Sequence, residues 1–343
     1  MGEKWSVLYS LHSVRIIGNI SSNGLFWNNG WTIISFLSLV AQKPLVGELV
    51  MEVHSLPATA GEEVTVEEQM TSSVRYLRVT SGHYREIIAG GLYADDLTLP
   101  VREQSEQVFG KAEEILKAEQ MSFGDIVRQW NYLERITDIV YGNQCYQDFN
   151  DIRSQFYASS EWASGYPAAT GIGTQHGGIL VDFNAVKGGI EIIPLDNDWQ
   201  RAAHVYSDEV LISHRTDAEK GTPKFERGKS LSDHQQEMIY ISGTAAIRGE
   251  ESIVTGDVLV QTEITLENIH QSIMAVRYKN PCFIVIYVMS TDHAWFGLSI
   301  TAFRRRYGQT LSRCSYCLSL CRCMQGRTAC RNRRYCLFVK TEN

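Results

Sequence analysis

Residues 73–120, SVRYLRVTSGHYREIIAGGLYADDLTLPVREQSEQVFGKAEEILKAEQ, decide the fold class. The opening SVRYLRVT at 73–80 alternates apolar and polar side chains with period two, as a strand with one buried face does. Ser81-Gly82 and Gly90-Gly91 are turn signals. Over 102–120 the period lengthens. Val108, Ala112, Ile115 and Leu116 fall on one helical face, and Glu113 stands four residues before Lys117, the favourable order for an ion pair. Toward the N-terminus, 6–20, 32–41 and 49–53 read as further strands, broken by Asn23-Gly24 and by the polar run 57–69. Toward the C-terminus come an apolar stretch at 126–132, strand-like 178–183 and 189–193, a polar loop at 213–232 and a strand at 238–247. A helix at 257–274 closes the series, with Ile264, Ile269 and Ile273 spaced for one face and Asp257 placed to cap it. Strands followed by a helix, twice over, predict a duplicated α+β unit with mixed sheets covered by helices.

Composition narrows the class. The chain has 343 residues, 44% hydrophobic and 21% charged, with 7 Pro against 27 Gly, which excludes collagen-like, mucin-like and wholly disordered proteins. The net charge of −7 argues against a surface that coats nucleic acid. The charge is uneven, however: residues 304–343 carry ten Lys or Arg against Glu342 alone, and residues 314–336 hold six of the eight cysteines. The body, with Cys145 and Cys282 only, reads as a reduced intracellular protein. Ser, His and Arg interrupt any apolar core near the N-terminus, and the run TIISFLSLVA at 32–41 is half the length of a membrane span. A cytoplasmic protein with no membrane partner is expected.

Four segments carry candidate chemistry: WNYL at 130–133, FNDIRSQFY at 149–157, YPAATGIGT at 166–174 and SGTAAI at 242–247. None is a phosphate loop, a zinc-protease helix, a nucleophile elbow or a dinucleotide fingerprint. Gly171 and Gly173 read as tight turns rather than a phosphate cradle. Arg153 and Tyr157, four apart, point the same way on a helix, and guanidinium with phenol makes a receptor for a carboxylate. Arg227, in KFERGK at 224–229, is a second cation, in a polar loop. Ser242-Gly243-Thr244 at a strand end offers N–H groups, a hydroxyl and little bulk to an approaching oxygen. His176, His204, His214 and His234 lack metal-ligand spacing and read as structural or exposed, so no metal is implied.

In the order WNYL, FNxxRxxFY, YPAATGIGT, KFxRGK, SGTAAIxGEES and GDVLVQTEITLENI, the chain resembles the chorismatase family from about residue 130 to 273, and more faintly back to about 49. The resemblance implies an α+β fold of two YjgF/RidA-like (chorismate-mutase-like) domains: a degenerate one at 1–125 and a catalytic-type one at 126–280, with 281–343 a non-matching tail. It also implies cofactor-free hydrolysis of chorismate to pyruvate plus a dihydroxycyclohexadiene carboxylate or a hydroxybenzoate, feeding secondary metabolism. Chorismate bears two carboxylates, so the expected pocket holds Arg153 and Tyr157 at one end and Phe225, Arg227, Gly243 and Thr244 at the other. A duplicated domain can mimic a subunit pair and leave a monomer, the favoured reading, while a sheet edge exposed by the altered tail can drive association, so the oligomeric state stays open.

The family's acidic C-terminal strand, which carries its catalytic glutamate, is not recognisable here: after Glu267 the acids are Asp292 and Glu342. The catalytic residue is therefore unknown from sequence. The abrupt change after about residue 275 fits translation from a shifted reading frame, which the coding DNA tests. Two alternatives stand beside hydrolysis of chorismate. One is imine or enamine deamination of the YjgF/RidA type. The other is zinc or nucleic-acid binding through Cys314, Cys317, Cys321, Cys323, Cys330 and Cys336 among the arginines.

Overall fold

The computed structural model describes residues 64–205, 222–253 and 257–274, apart from 73, 175 and 233–236, together with the strands at 11–18, 37–41, 49–55, 283–290, 314–320 and 336–342. Strand β1 (Leu11–Gly18) lies between β2 (Leu37–Ala41), parallel to it, and β3 (Leu49–Ser55), antiparallel. The chain then lays down β4 (Thr65–Met70), β5 (Arg75–Thr80) and β6 (Tyr84–Tyr93) as an antiparallel run. Helix α1 (Val101–Ala118) follows, then β7 (Ile126–Glu134), the small hairpin of β8 (Ile139–Val140) and β9 (Asn143–Gln144), and helix α2 (Cys145–Tyr157). With β10 (Ala168–Thr174) and β11 (Ile179–Gly188) these strands form a six-stranded sheet in the order β10-β7-β11-β6-β5-β4.

Helices α1 and α2 cover one face of this sheet. Val108, Phe109, Ala112, Ile115 and Leu116 of α1 meet Phe149 and Ile152 of α2 and the strand residues Tyr76, Ile87, Ala89 and Phe183 in one buried core. The helical face and the Glu113–Lys117 pair, 3.0 Å apart, are as the spacing predicts. Leu77 and Val79 point to the other face and are also buried. That face is covered as well: Ser38 of β2 donates to Asp182 Oδ1 of β11 at 2.8 Å, and a second sheet packs there through Val127, Ala168 and Val186 against Leu231 and Tyr240.

The second sheet runs β12-β13-β14-β19-β17-β18, from β12 (Glu191–Leu195), β13 (Gly228–Ser232) and β14 (Glu237–Thr244) to β17 (Phe283–Ser290), β18 (Cys314–Leu320) and β19 (Cys336–Glu342). Between them lie the short hairpin β15 (Ile247–Arg248) with β16 (Glu251–Ser252), and helix α3 (Val258–Met274). Asp257 caps α3, its Oδ1 accepting the Leu259 N–H at 2.8 Å. The helix buries Leu266, Ile269 and Ile273, while Ile264 is half-buried.

Several expectations are corrected. The first sheet draws strands from both sides of residue 125, so the division expected there falls inside one sheet. Residues 283–290, 314–320 and 336–342 of the expected tail are strands of the second sheet. The loop expected at 213–232 ends in β13, because Gly228–Ser232 ladders with both β12 and β14. Gly90-Gly91 is not a turn: it sits within β6, where the ladder to β11 shifts register and Gly91 takes φ +69°. Gly171 and Gly173 lie in β10, paired with β7, and form neither turns nor a cradle. The expected Asn23-Gly24 turn, His214 and His234 fall outside the described residues.

Candidate active site

Helix α2 places Arg153 beside the core residue Ile152, and only 1% of Arg153 is exposed. Its guanidinium lies 5.6 Å from the Phe149 ring centre and 6.0 Å from that of Tyr157. Nη2 donates to Asn150 Oδ1, three residues back on the helix. Nε has no hydrogen-bond partner among the described residues, and no carboxylate is paired with the group there. A buried guanidinium without an acid is costly unless something else supplies the negative charge.

Tyr157 is placed as expected, one turn on from Arg153, but its hydroxyl is engaged elsewhere. It donates to Gln129 Oε1 at 2.7 Å, Gln129 Nε2 donates to Asn131 Oδ1 at 2.7 Å, and Asn131 Nδ2 donates to the Thr170 carbonyl at 2.7 Å. Burial pushes the phenol well above the usual tyrosine range. The expected guanidinium-and-phenol receptor is therefore corrected. Tyr157 gives Arg153 a ring face, and its hydroxyl ties α2 to β7. Tyr157 and Tyr166 stack at 6.2 Å with planes 12° apart, and Trp162 lies 4.6 Å from each.

The 222–229 segment brings the opposite wall. Lys224 Nζ lies 5.7 Å from the Tyr166 ring centre and donates to Thr222 Oγ1 at 3.2 Å. Phe225 is buried with Ala169 and Ala203, and the Arg227 guanidinium lies 5.8 Å from its ring centre. Glu226, 6% exposed, accepts the Tyr166 N–H on Oε1 at 2.9 Å, while its Oε2 faces His204 Nδ1 at 3.7 Å. Lys229 is fully buried and donates to the Gly165 carbonyl at 2.9 Å and to Ser164 Oγ at 3.2 Å. Burial pushes its ammonium down to about 8, against the opposing charge of Glu226. Gly165 has φ +73°, and a Cβ there would stand 2.7 Å from Glu226 Oε1, so this corner needs glycine.

Ser242 fastens that wall to the first sheet. Its Oγ donates to the Glu226 carbonyl at 2.5 Å and accepts the Ala169 N–H at 2.9 Å. The Ser242 hydroxyl is thus taken up between β10 and β14. Thr244 Oγ1 lies 3.1 Å from Gln200 Nε2, Gly243 is half-buried beside it, and Arg227 Nη2 donates to the Arg201 carbonyl at 2.5 Å.

Arg153, Tyr157, Lys224, Glu226 and His204 thus gather around Tyr166. Arg227 and Thr244 stand beyond Phe225, toward Arg201 and Gln200. Lys224, Glu226, His204 and Lys229 were not singled out as site residues in the sequence. The signal for two of them was present: Lys224 and Glu226 flank Phe225 in an extended segment, so they share one side. His204 carries no such pattern. Among the described residues no group of three or more His, Cys, Asp or Glu is assembled for a metal.

Fold and site together define an α+β protein of two packed sheets with a cation-rich aromatic box between α2 and the 222–229 segment. Within that class, the model of the N-terminal domain of FkbO/Hyg5-like chorismatases matches residues 63–185. A chorismatase of Streptomyces hygroscopicus is 33% identical over 156 residues, 44% of this chain and 42% of that one. A 3-hydroxybenzoate synthase of the same organism is 28% identical over 157 residues, 44% of either chain. The chain thus matches less than half the length of these curated relatives. A chorismatase crystal structure at 1.08 Å superposes with a TM-score of 0.70 at 19% identity, covering 97% of this chain and 92% of that one. The chain is similar to the chorismatases in sequence and has their fold.

Proposed function

We propose that the chain hydrolyses chorismate, cleaving its enolpyruvyl ether with water to give pyruvate and a dihydroxycyclohexadiene carboxylate, or a hydroxybenzoate where that ring diol then loses one water. The observation that carries this is Arg153, a fully buried guanidinium with no carboxylate partner among the described residues. A ligand carboxylate is the counter-charge it lacks, and a guanidinium fork binds a carboxylate through two N–H groups. The aromatic box of Tyr157, Trp162 and Tyr166 suits a flat six-membered ring beside that carboxylate. Phe225, Arg227, Gly243 and Thr244 line the end that takes the second carboxylate.

Cleavage begins with protonation of the ether's methylene carbon, which places positive charge on the neighbouring enol carbon. Water then adds there, and the hemiketal collapses to pyruvate and the ring alcohol. Glu226, once protonated, takes the donor's part and recovers its proton from the water that adds to the enol carbon. Its carboxyl group lies against Tyr166, and its Oε2 accepts no hydrogen bond among the described residues. The reaction draws on no cofactor. The domain division is proposed to follow the two sheets rather than residue 125, in a cytoplasmic monomer that serves secondary metabolism. Deamination of imines and zinc or nucleic-acid binding are not favoured by the relatives found.

The test is pyruvate release from chorismate by the full chain, read with lactate dehydrogenase and NADH, together with an Arg153→Met variant. The variant is expected to lose more than 95% of the activity. It is also expected to gain about 1–2 kcal/mol against urea, since replacing an uncompensated buried charge with an apolar side chain of similar length is often stabilising. A wild-type chain that binds chorismate without releasing pyruvate would overturn the reaction. A fully active variant would overturn the role of Arg153.

A further inference from the structure

Two cations border the aromatic box, one on each ring of its stacked pair. Lys224 is half-buried, its ammonium donates to the neutral Thr222 hydroxyl, and it has no carboxylate partner among the described residues. Arg153 has none either, and the two lie against the rings of the stacked Tyr157–Tyr166 pair, Lys224 against Tyr166 and Arg153 against Tyr157. Burial and the positive charge of Arg153 both push the Lys224 ammonium below the usual lysine range. The acid of the same segment does not relieve this, since Glu226 turns its oxygens to the Tyr166 N–H and to His204. Like charges held together in a partly desolvated site are costly when the site is empty. One anion placed between them turns that repulsion into two attractions.

We propose that Lys224 closes the carboxylate seat that Arg153 opens, so that one carboxylate of the ligand bridges the two cations against the Tyr157–Tyr166 stack. The proposal deepens the chorismate reading, on which its choice of substrate rests. A carboxylate fits better than a phosphate. The seat offers one fork, one point charge and a flat aromatic floor, while the nearby glycines Gly171 and Gly173 are paired into β10 and form no nest of free N–H groups. Arg227 is left to the far end of the pocket.

The probe is 3-hydroxybenzoate, titrated into the full chain by tryptophan fluorescence, with 3-hydroxybenzyl alcohol as its neutral counterpart. Wild type is expected to bind the acid at least tenfold more tightly than the alcohol. Lys224→Gln is expected to weaken the acid tenfold or more and leave the alcohol unchanged, whereas Lys224→Arg stays within threefold of wild type. A urea midpoint for Lys224→Gln at or above that of wild type shows the chain is folded. If that variant unfolds, Lys224→Met replaces it, since it keeps the stem over Tyr166. Equal acid binding by wild type and the neutral variants overturns the seat, as does equal binding of acid and alcohol by wild type. Charge-dependent acid binding in a chain that releases no pyruvate sustains the seat and overturns only the hydrolysis.

Discussion

Lys229 shows what a single buried group does to the pH dependence of the molecule. Its ammonium is fully buried and pushed down to about 8, whereas in the unfolded chain it titrates near 10.5. Between these values the unfolded chain holds a proton that the folded chain has lost, so stability from this residue rises as pH climbs from about 8 to 10.5 and is level below. The span corresponds to about 3 kcal/mol. Urea titrations at pH 8 and pH 10 should show about 2 kcal/mol of this increment in wild type and none in Lys229→Met, the difference between the two proteins isolating it from other titrating groups. An equal slope in both would mean that the ammonium reaches solvent. At this scale the sequence is readable where a pattern is local. Arg153 and Tyr157 are recognisable from their i, i+4 spacing, but the engagement of Tyr157 is not, because its partner Gln129 lies 28 residues earlier on another strand.

Among the elements, the joint between β10 and β14 carries the site. Ser242 Oγ holds the Ala169 N–H of one sheet and the Glu226 carbonyl of the segment bearing Lys224 and Arg227. Ser242→Ala leaves both backbone groups buried and unsatisfied, at a cost of about 2–3 kcal/mol. It should also raise the chorismate KM more than it lowers kcat, because the segment bearing Glu226 and Arg227 is then held only by its backbone bonds, Glu226 N–H to the Pro167 carbonyl at 3.1 Å and Ser242 N–H to the Arg227 carbonyl at 3.0 Å. Urea midpoints and pyruvate-release kinetics check both halves, and an unchanged KM with lower stability would show that the joint supports the fold alone. Helices α1 and α3 were legible because a period of 3.6 survives any tertiary setting, and both fall within two residues of the ranges read from sequence, whereas α2 was given no range there. Strand β6 was hidden because its Gly90-Gly91 bulge looks like a turn when its neighbour β11 cannot be seen. Strand β13 was hidden because Gly228–Ser232 is polar, and the residues that pair with it lie in β12 and β14.

For the whole molecule, the question is what completes the second sheet. Strand β14 has β13 on one side and β19 on the other, with Met238 opposite Glu342 and Thr244 opposite Leu337. The β14 end that carries Ser242-Gly243-Thr244 therefore depends on a strand almost a hundred residues later, drawn from a part of the sequence whose composition gives no hint of it. A chain ended after Met274 keeps α1, α2, α3 and every residue placed at the site but leaves one edge of β14 without its ladder. An unpaired central strand invites pairing with another chain. The shortened chain is expected to associate in a concentration-dependent way in sedimentation velocity and to lose pyruvate release, while the 343-residue chain sediments as one species. If the shortened chain stays monomeric and as active as the 343-residue one, β14 needs no ladder on that side, and the site is built by the first sheet and the 222–253 segment alone.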